Sequence, residues 1–263
     1  MTLHHANPAS NLIRSPAERL AVVAEEVATC AVCPRLVAWR QAIAGAADDA
    51  TRYRSTPLPG FGDPEARLLI IGLAPGAHGG NRTGRVFTGD RSGDFLFAAL
   101  HRAGYANQVE SSALDDGLEL RDAFVTAAVR CAPPQNKPTP AERDACSHFL
   151  RAEIDALERV TVVLALGAFG FDAALRVVPA DTGAIRRPRF AHGTEVALTR
   201  GITLLASYHP SQRNVFTGRL TSEMFDAVLT RARLLIGIVD PLDPHRPSLA
   251  GRRTRSGPAG APG

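Results

Sequence analysis

The stretch from Gly72 to Asp90, GLAPGAHGGNRTGRVFTGD, holds six glycines in nineteen residues, with an Asn, two Arg, a His, a Phe and a closing Asp. Glycines at this density let a backbone approach a ligand or another chain segment closely. The polar groups among them could bind an anion, stack on a ring or position water. Two chemistries use that combination: a phosphate-cradling loop and a pocket for an unstacked nucleobase. The first fits poorly. A Walker A loop needs G-x4-G-K-[ST] and this stretch has no Lys, while a dinucleotide fingerprint would need a ribose-binding acid further on in a suitable βαβ unit.

Two other stretches concentrate polar groups. VRCAPPQNKPTPAERDAC (129–146) sets Asn136 and Lys137 in a loop stiffened by Pro138 and Pro140, between two cysteines. ASYHPSQRNVFTGRLT (206–221) places His209 before Pro210, Ser211, Gln212, Arg213 and Asn214, a dense run of hydrogen-bonding groups. The four cysteines are Cys30 and Cys33, spaced C-x2-C, then Cys131 and Cys146. Four thiolates suit a structural zinc or an iron–sulfur cluster; four unrelated buried thiols is the plainer reading.

The elements that would hold these groups alternate. A helix is predicted from Ser15 as N-cap, with Pro16 at N1 and Glu18 at N3, running into CAVCPRLVAWR. A loop follows over 43–65. Apolar runs at 66–74, 122–129, 161–167 and 202–210 read as buried strands. Helical patterns occupy 93–104, 139–160, where Thr139 and Glu142 make a second capping box, the residues from 167 to about Arg176, and 220–238. Apolar strands alternating with helices predict a parallel sheet covered on both faces. Ligands bind such sheets at the carboxyl ends of the strands. All three polar stretches follow strands.

The chain has 263 residues, 45% of them hydrophobic, enough for one sizeable core. It divides into a leader over 1–14, a single domain over 15–239 and an Arg-, Pro- and Gly-rich tail over 240–263. The net charge is only +4, but Lys137 is the sole lysine among 30 basic residues. Arginine suits bidentate phosphate contact, although a biased genome explains it as well. No apolar run reaches the roughly 20 residues of a bilayer span. The N-terminus lacks the apolar core of a secretory signal, so a cytoplasmic protein is expected.

In combination, CAVCPRLVAWR, PGFGDPEARLLIIGLAPGAHGGNRTGRVFTGD, TAAVRCAPPQNKPTP, LALG and SYHPSQRNVFTGRLT resemble the uracil-DNA glycosylase superfamily, and within it the family 5 (type B) enzymes. The resemblance covers most of 30–237 but not 105–121 or 177–200. It implies a three-layer α/β/α sandwich around a four-stranded parallel sheet, and a structural [4Fe–4S] cluster on Cys30, Cys33, Cys131 and Cys146. It implies a base pocket formed by Gly72, Ala74, Gly76, Phe87, Asn136 and His209. Phe87 would stack on the flipped ring, His209 would donate to the base oxygen that gains negative charge, Asp90 would orient or activate water, and Asn136 would assist. Arg82, Arg85, Arg213 and Asn214 would contact DNA. Positions that carry polar groups in other glycosylase families are here Leu73, Ala74, Ala127 and Ala128, which implies a range extending from uracil to hypoxanthine, xanthine or modified cytosines. The implied protein is a monomeric bacterial repair enzyme at the nucleoid, acting on DNA that contains uracil or other deaminated bases, with no membrane association. Two other readings remain: a non-catalytic iron–sulfur module that binds nucleic acid, and a small-molecule α/β enzyme with a structural zinc.

Overall fold

The computed structural model describes residues 15–47, 53–181 and 188–237; the predicted leader (1–14) and tail (240–263) lie outside the described residues. The four apolar runs form parallel strands β2 (Leu68–Gly72), β3 (Ala123–Ala127), β4 (Val162–Leu166) and β6 (Thr203–Ser207). The sheet has six strands rather than the expected four. Two short antiparallel strands, β1 (Phe61–Gly62) and β5 (Glu195–Ala197), close its edges in the order β1-β3-β2-β4-β6-β5. With two and three residues, they are too brief to carry a readable alternation.

Both faces are covered, which makes three layers. On one face Leu68, Ile70, Val125, Leu164 and Leu205 pack against helices α4 (Arg91–Arg102) and α8 (Ser222–Ile236). On the other, Leu69, Ile71, Phe124, Val163 and Leu204 pack with α1 (Pro16–Ala28), α5 (Pro140–Ala156) and α6 (Gly167–Val177). Adjacent strand residues alternate between the two cores, as a pleated sheet requires.

Both predicted capping boxes are present, Ser15 with Glu18 and Thr139 with Glu142. The first helix differs from expectation. It stops at Thr29, and α2 (Pro34–Gly45) begins afresh after the cysteine pair. Pro34 lacks an N–H and forces the residue before it out of the helical region, and Cys33 is extended at φ −105°, ψ 92°. Both cysteines are thereby held in a bend rather than on a helix face.

A buried ion pair ties the sheet to α5. Arg130 Nη1 and Nη2 donate to the two carboxylate oxygens of Glu153 at 2.9 and 2.7 Å, and both side chains are nearly inaccessible. Glu153 also accepts from Thr126 Oγ1 at 2.7 Å and from Gly60 N at 3.0 Å. Removing one member would strand a charge in the core. Glu153→Ala should cost about 3–5 kcal/mol of unfolding free energy by urea denaturation. A loss below about 1 kcal/mol would mean that the network carries little stability.

Candidate active site

The polar stretches meet at the carboxyl ends of the parallel strands. Beyond β2 and β3 the ladder continues: Ala128 N donates to Gly72 O at 3.0 Å and Val129 N to Leu73 O at 3.1 Å. The Gly-rich stretch leaves β2, forms the short helix α3 (Gly80–Thr83) and turns back at Phe87.

Phe87 has φ +55°, a strained value for a residue with a Cβ. Two glycines make room for it. A Cβ on Gly72 would come within 2.6 Å of the Phe87 ring, and one on Gly93 would collide with the Phe87 carbonyl. The ring therefore lies over bare backbone, with the His209 ring stacked at 5.9 Å between centroids and 29° between planes.

Asp90 is the N-cap of α4. Its Oδ1 accepts from Ser92 N and Gly93 N, both at 3.0 Å. Its Oδ2 faces Gly76 and Gly79; a Cβ on Gly76 would lie 2.7 Å from it. Among the described residues Oδ2 has no hydrogen-bond donor. The carboxyl pKa is raised above the ordinary value: burial pushes it up, and the amides of Gly93 and Ser92 offset only part of that. The result is a carboxylate with one oxygen fixed and the other open to water.

His209 follows β6. Burial lowers its pKa to about 4, so the ring is neutral near neutral pH and can donate one N–H. Asn214, on the short helix α7 (Gln212–Phe216), donates from Nδ2 to the His209 carbonyl at 2.9 Å. A cleft of about 280 Å³ opens beside His209, walled by Leu73, Phe169, Phe190, Tyr208 and Asn214. That lies at the small end of ligand pockets. Arg219 stacks over Tyr208 at its edge, 4.7 Å from the ring centroid.

Several expected roles need correction. Arg85 does not face solvent: it is buried and pairs with Asp116 at 2.7 Å while also donating to Thr88 and Ser111. Burial alone would raise the Asp116 pKa, but Arg85 and three backbone amides lower it to about 2. Arg82 is half-buried and braces its own loop, donating to the carbonyls of His78 and Gly89. Asn214 fastens the His209 loop through its Nδ2 and also lines the cleft. Ala74 packs against the cysteines. Asn136 is exposed on a 3-10 turn, at φ +55°, and is hydrogen-bonded to neither Asp90 nor His209. Of the four expected DNA contacts, Arg213 alone is exposed without an ion pair among the described residues.

Sequence reasoning missed Phe216, the last residue of α7, which is 90% exposed three residues beyond Arg213. The signal lay in its place, in the polar run that follows His209.

The cysteines gather behind the cleft. Cys131 and Cys146 pack with Leu36 and Val129, with Cys33, Ala74 and Phe169 against them. Burial raises the thiol pKa values of Cys33 and Cys146, and that of Cys131 to about 11. Cys30 acts electrostatically on all three. Among the described residues no three His, Cys, Asp or Glu side chains converge closely enough to hold a single metal ion. Arg35 bridges Glu142 across the group, donating at 2.7 and 2.6 Å.

Residues 59–233 match the family model described as the uracil DNA glycosylase superfamily. The chain belongs to that superfamily. It is 50% identical over 216 residues to a type-5 uracil-DNA glycosylase of Mycobacterium tuberculosis, covering 81% of this chain and 80% of that protein. It is 50% identical over 217 residues to the type-5 uracil-DNA glycosylase of Thermus thermophilus, covering 81% and 97%. A type-4 uracil-DNA glycosylase of Thermotoga maritima is 28% identical over 195 residues, 74% of this chain and 82% of that protein. Among the described residues no helix is long and apolar enough to cross a membrane.

The buried neutral histidine has a consequence for folding. Its pKa falls from 6.5 to about 4 on folding, so the unfolded chain takes up a proton at higher pH than the native one. Stability from this group is complete above pH 6.5 and drains away as the pH falls toward 4. Thermal melts across that window should show a shallower decline for His209→Gln than for the parent. Parallel declines would mean that the ring is not buried as a neutral group.

Proposed function

We infer that this chain hydrolyses the N-glycosidic bond of uracil in DNA and leaves an abasic site. Membership of the superfamily supplies the class. The observation that carries the chemistry is the Asp90 carboxylate, with Oδ1 locked and Oδ2 open at the glycine face, in the same turn that seats Phe87 against His209. A base in a duplex is out of reach, so it must be extruded at a cost of a few kcal/mol. Phe87 offers the flipped ring a flat apolar surface. As the bond breaks, the sugar becomes cation-like and the base anionic. A neutral His209 donates to the base oxygen on which charge develops, and the Asp90 Oδ2 orients water toward the sugar carbon.

The DNA would meet Arg213 and the exposed ring of Phe216. An apolar side chain that enters a base step fills the space left by an extruded nucleotide. Apolar Leu73, in the cleft wall, leaves no polar group unpaired when another base enters, which supports a range extending to hypoxanthine and related deaminated bases. Ala127 and Ala128 are buried in the cores and do not line the cleft. In this reading the chain works as a monomer on chromosomal DNA in the bacterial cytoplasm.

The cysteines support a [4Fe–4S] cluster. Cys131, Cys146 and Cys33 pack together, and Cys30 is near enough to act electrostatically on all three, so four thiols lie in one neighbourhood. Cys30 and Cys33 from the bend before α2, with Cys131 and Cys146 flanking the loop after β3, would hold it. When bound it would supply a rigid cross-link between α2, α5 and the pocket loop. Anaerobically purified protein should carry about four irons per chain with broad absorption near 400 nm, and Cys→Ser variants should lose stability. Stoichiometric zinc without iron would refute the cluster.

The activity is tested by single-turnover incubation of excess enzyme with a uracil-containing duplex, followed by alkali cleavage at abasic sites. Asp90→Ala and His209→Ala should each slow excision by about 10²–10³. Parental rates in both would show that the chemistry lies elsewhere. Phe216→Ala should slow excision from duplex more than from single-stranded DNA, where no stack has to be opened. Equal losses on the two substrates would remove Phe216 from the flipping step.

A further inference from the structure

Arg40, on α2, is 7% exposed. Its Nη1 donates to Cys131 Sγ at 3.1 Å, while its Nε is buried without a partner. Among the described residues no carboxylate pairs with it. The other guanidinium groups near the cysteines are all committed: Arg35 to Glu142, Arg130 to Glu153 and Arg143 to Asp144. A buried cation without an anion is strongly unfavourable, and a thiol is a weak acceptor that does not compensate it. The site therefore lacks a negative charge at the sulfur of Cys131.

We propose that Arg40 is the charge-compensating donor to the Cys131 thiolate of the cluster, setting its reduction potential and slowing its oxidative loss. The inference rests on the cluster reading above. Four thiolates around a [4Fe–4S] core carry net negative charge, and each added electron makes it more negative. A fixed cation donating to one sulfur stabilises the reduced form more than the oxidised one. Removing it moves the potential down and makes oxidation easier. Arg40 is thus a tuning residue that acts through Cys131, and base excision is not its measure.

The test uses full-length holoprotein purified without air, comparing the parent with Arg40→Lys and Arg40→Met. Iron content and absorption near 400 nm are read first. Spectroelectrochemical titration and the rate of bleaching in air follow. Arg40→Met should shift the oxidised-to-reduced ratio at a given potential about tenfold toward the oxidised form, about 59 mV for one electron, and should bleach several-fold faster. Arg40→Lys, which keeps the charge, should stay nearer the parent in both. If Arg40→Met does not fold, Arg40→Gln, uncharged but still a donor, is read in the same way. Full iron with a parental potential and bleaching rate in the uncharged variant overturns the role of Arg40 alone. A parent protein without iron overturns the cluster reading, and this inference with it.

Discussion

The site depends on how closely the backbone can approach two side chains. Phe87 sits over Gly72 and against Gly93, and Asp90 sits against Gly76 and Gly79. A methyl group at any of the four would push the ring or the carboxylate out of place. The strained φ of Phe87 is held by what surrounds it, which is how such backbone conformations persist. Arg85, one turn earlier, donates to Thr88 and reaches Ser111 and Asp116, while Gly89 N donates to Ser111 O at 2.9 Å. A loop outside the shared motifs, residues 105–121, therefore buttresses the turn that holds Phe87 and Asp90.

The cysteine group and the cleft are not separate features. Phe169 lines the cleft and also packs against the thiols, with Arg143 stacked on it 5.7 Å from its ring centroid. Ala74, two residues after β2, touches the same thiols. Whatever fixes the sulfurs also fixes one wall of the cleft and the exit of the Gly-rich stretch. A stability device placed here bears directly on pocket shape.

The four parallel strands were legible because each is a continuous apolar run, and their carboxyl ends pointed to the polar stretches. Capping chemistry located two helix starts to the residue. The same rule, applied to Asp90, would have moved the start of α4 from Gly93 to Arg91. The edge strands β1 and β5 were hidden by their shortness and the helix α7 by its five residues. The fate of the arginines was not legible at all. Arg85 and Arg213 look alike in sequence, and only a carboxylate 31 residues further on, Asp116, turns one of them inward.

The Asp90 carboxylate is not symmetric in practice. Two amides clamp Oδ1, while Oδ2 faces the glycines without a donor among the described residues. A half-turn about the last side-chain bond restores the same arrangement, so whichever oxygen meets the helix is held and the other is open. An amide at this position would have only one orientation open to it: the carbonyl oxygen toward the helix N-terminus and the NH₂ toward the glycines. An isosteric change would then present hydrogens where lone pairs had been, inverting the polarity of the glycine side while leaving the helix cap intact.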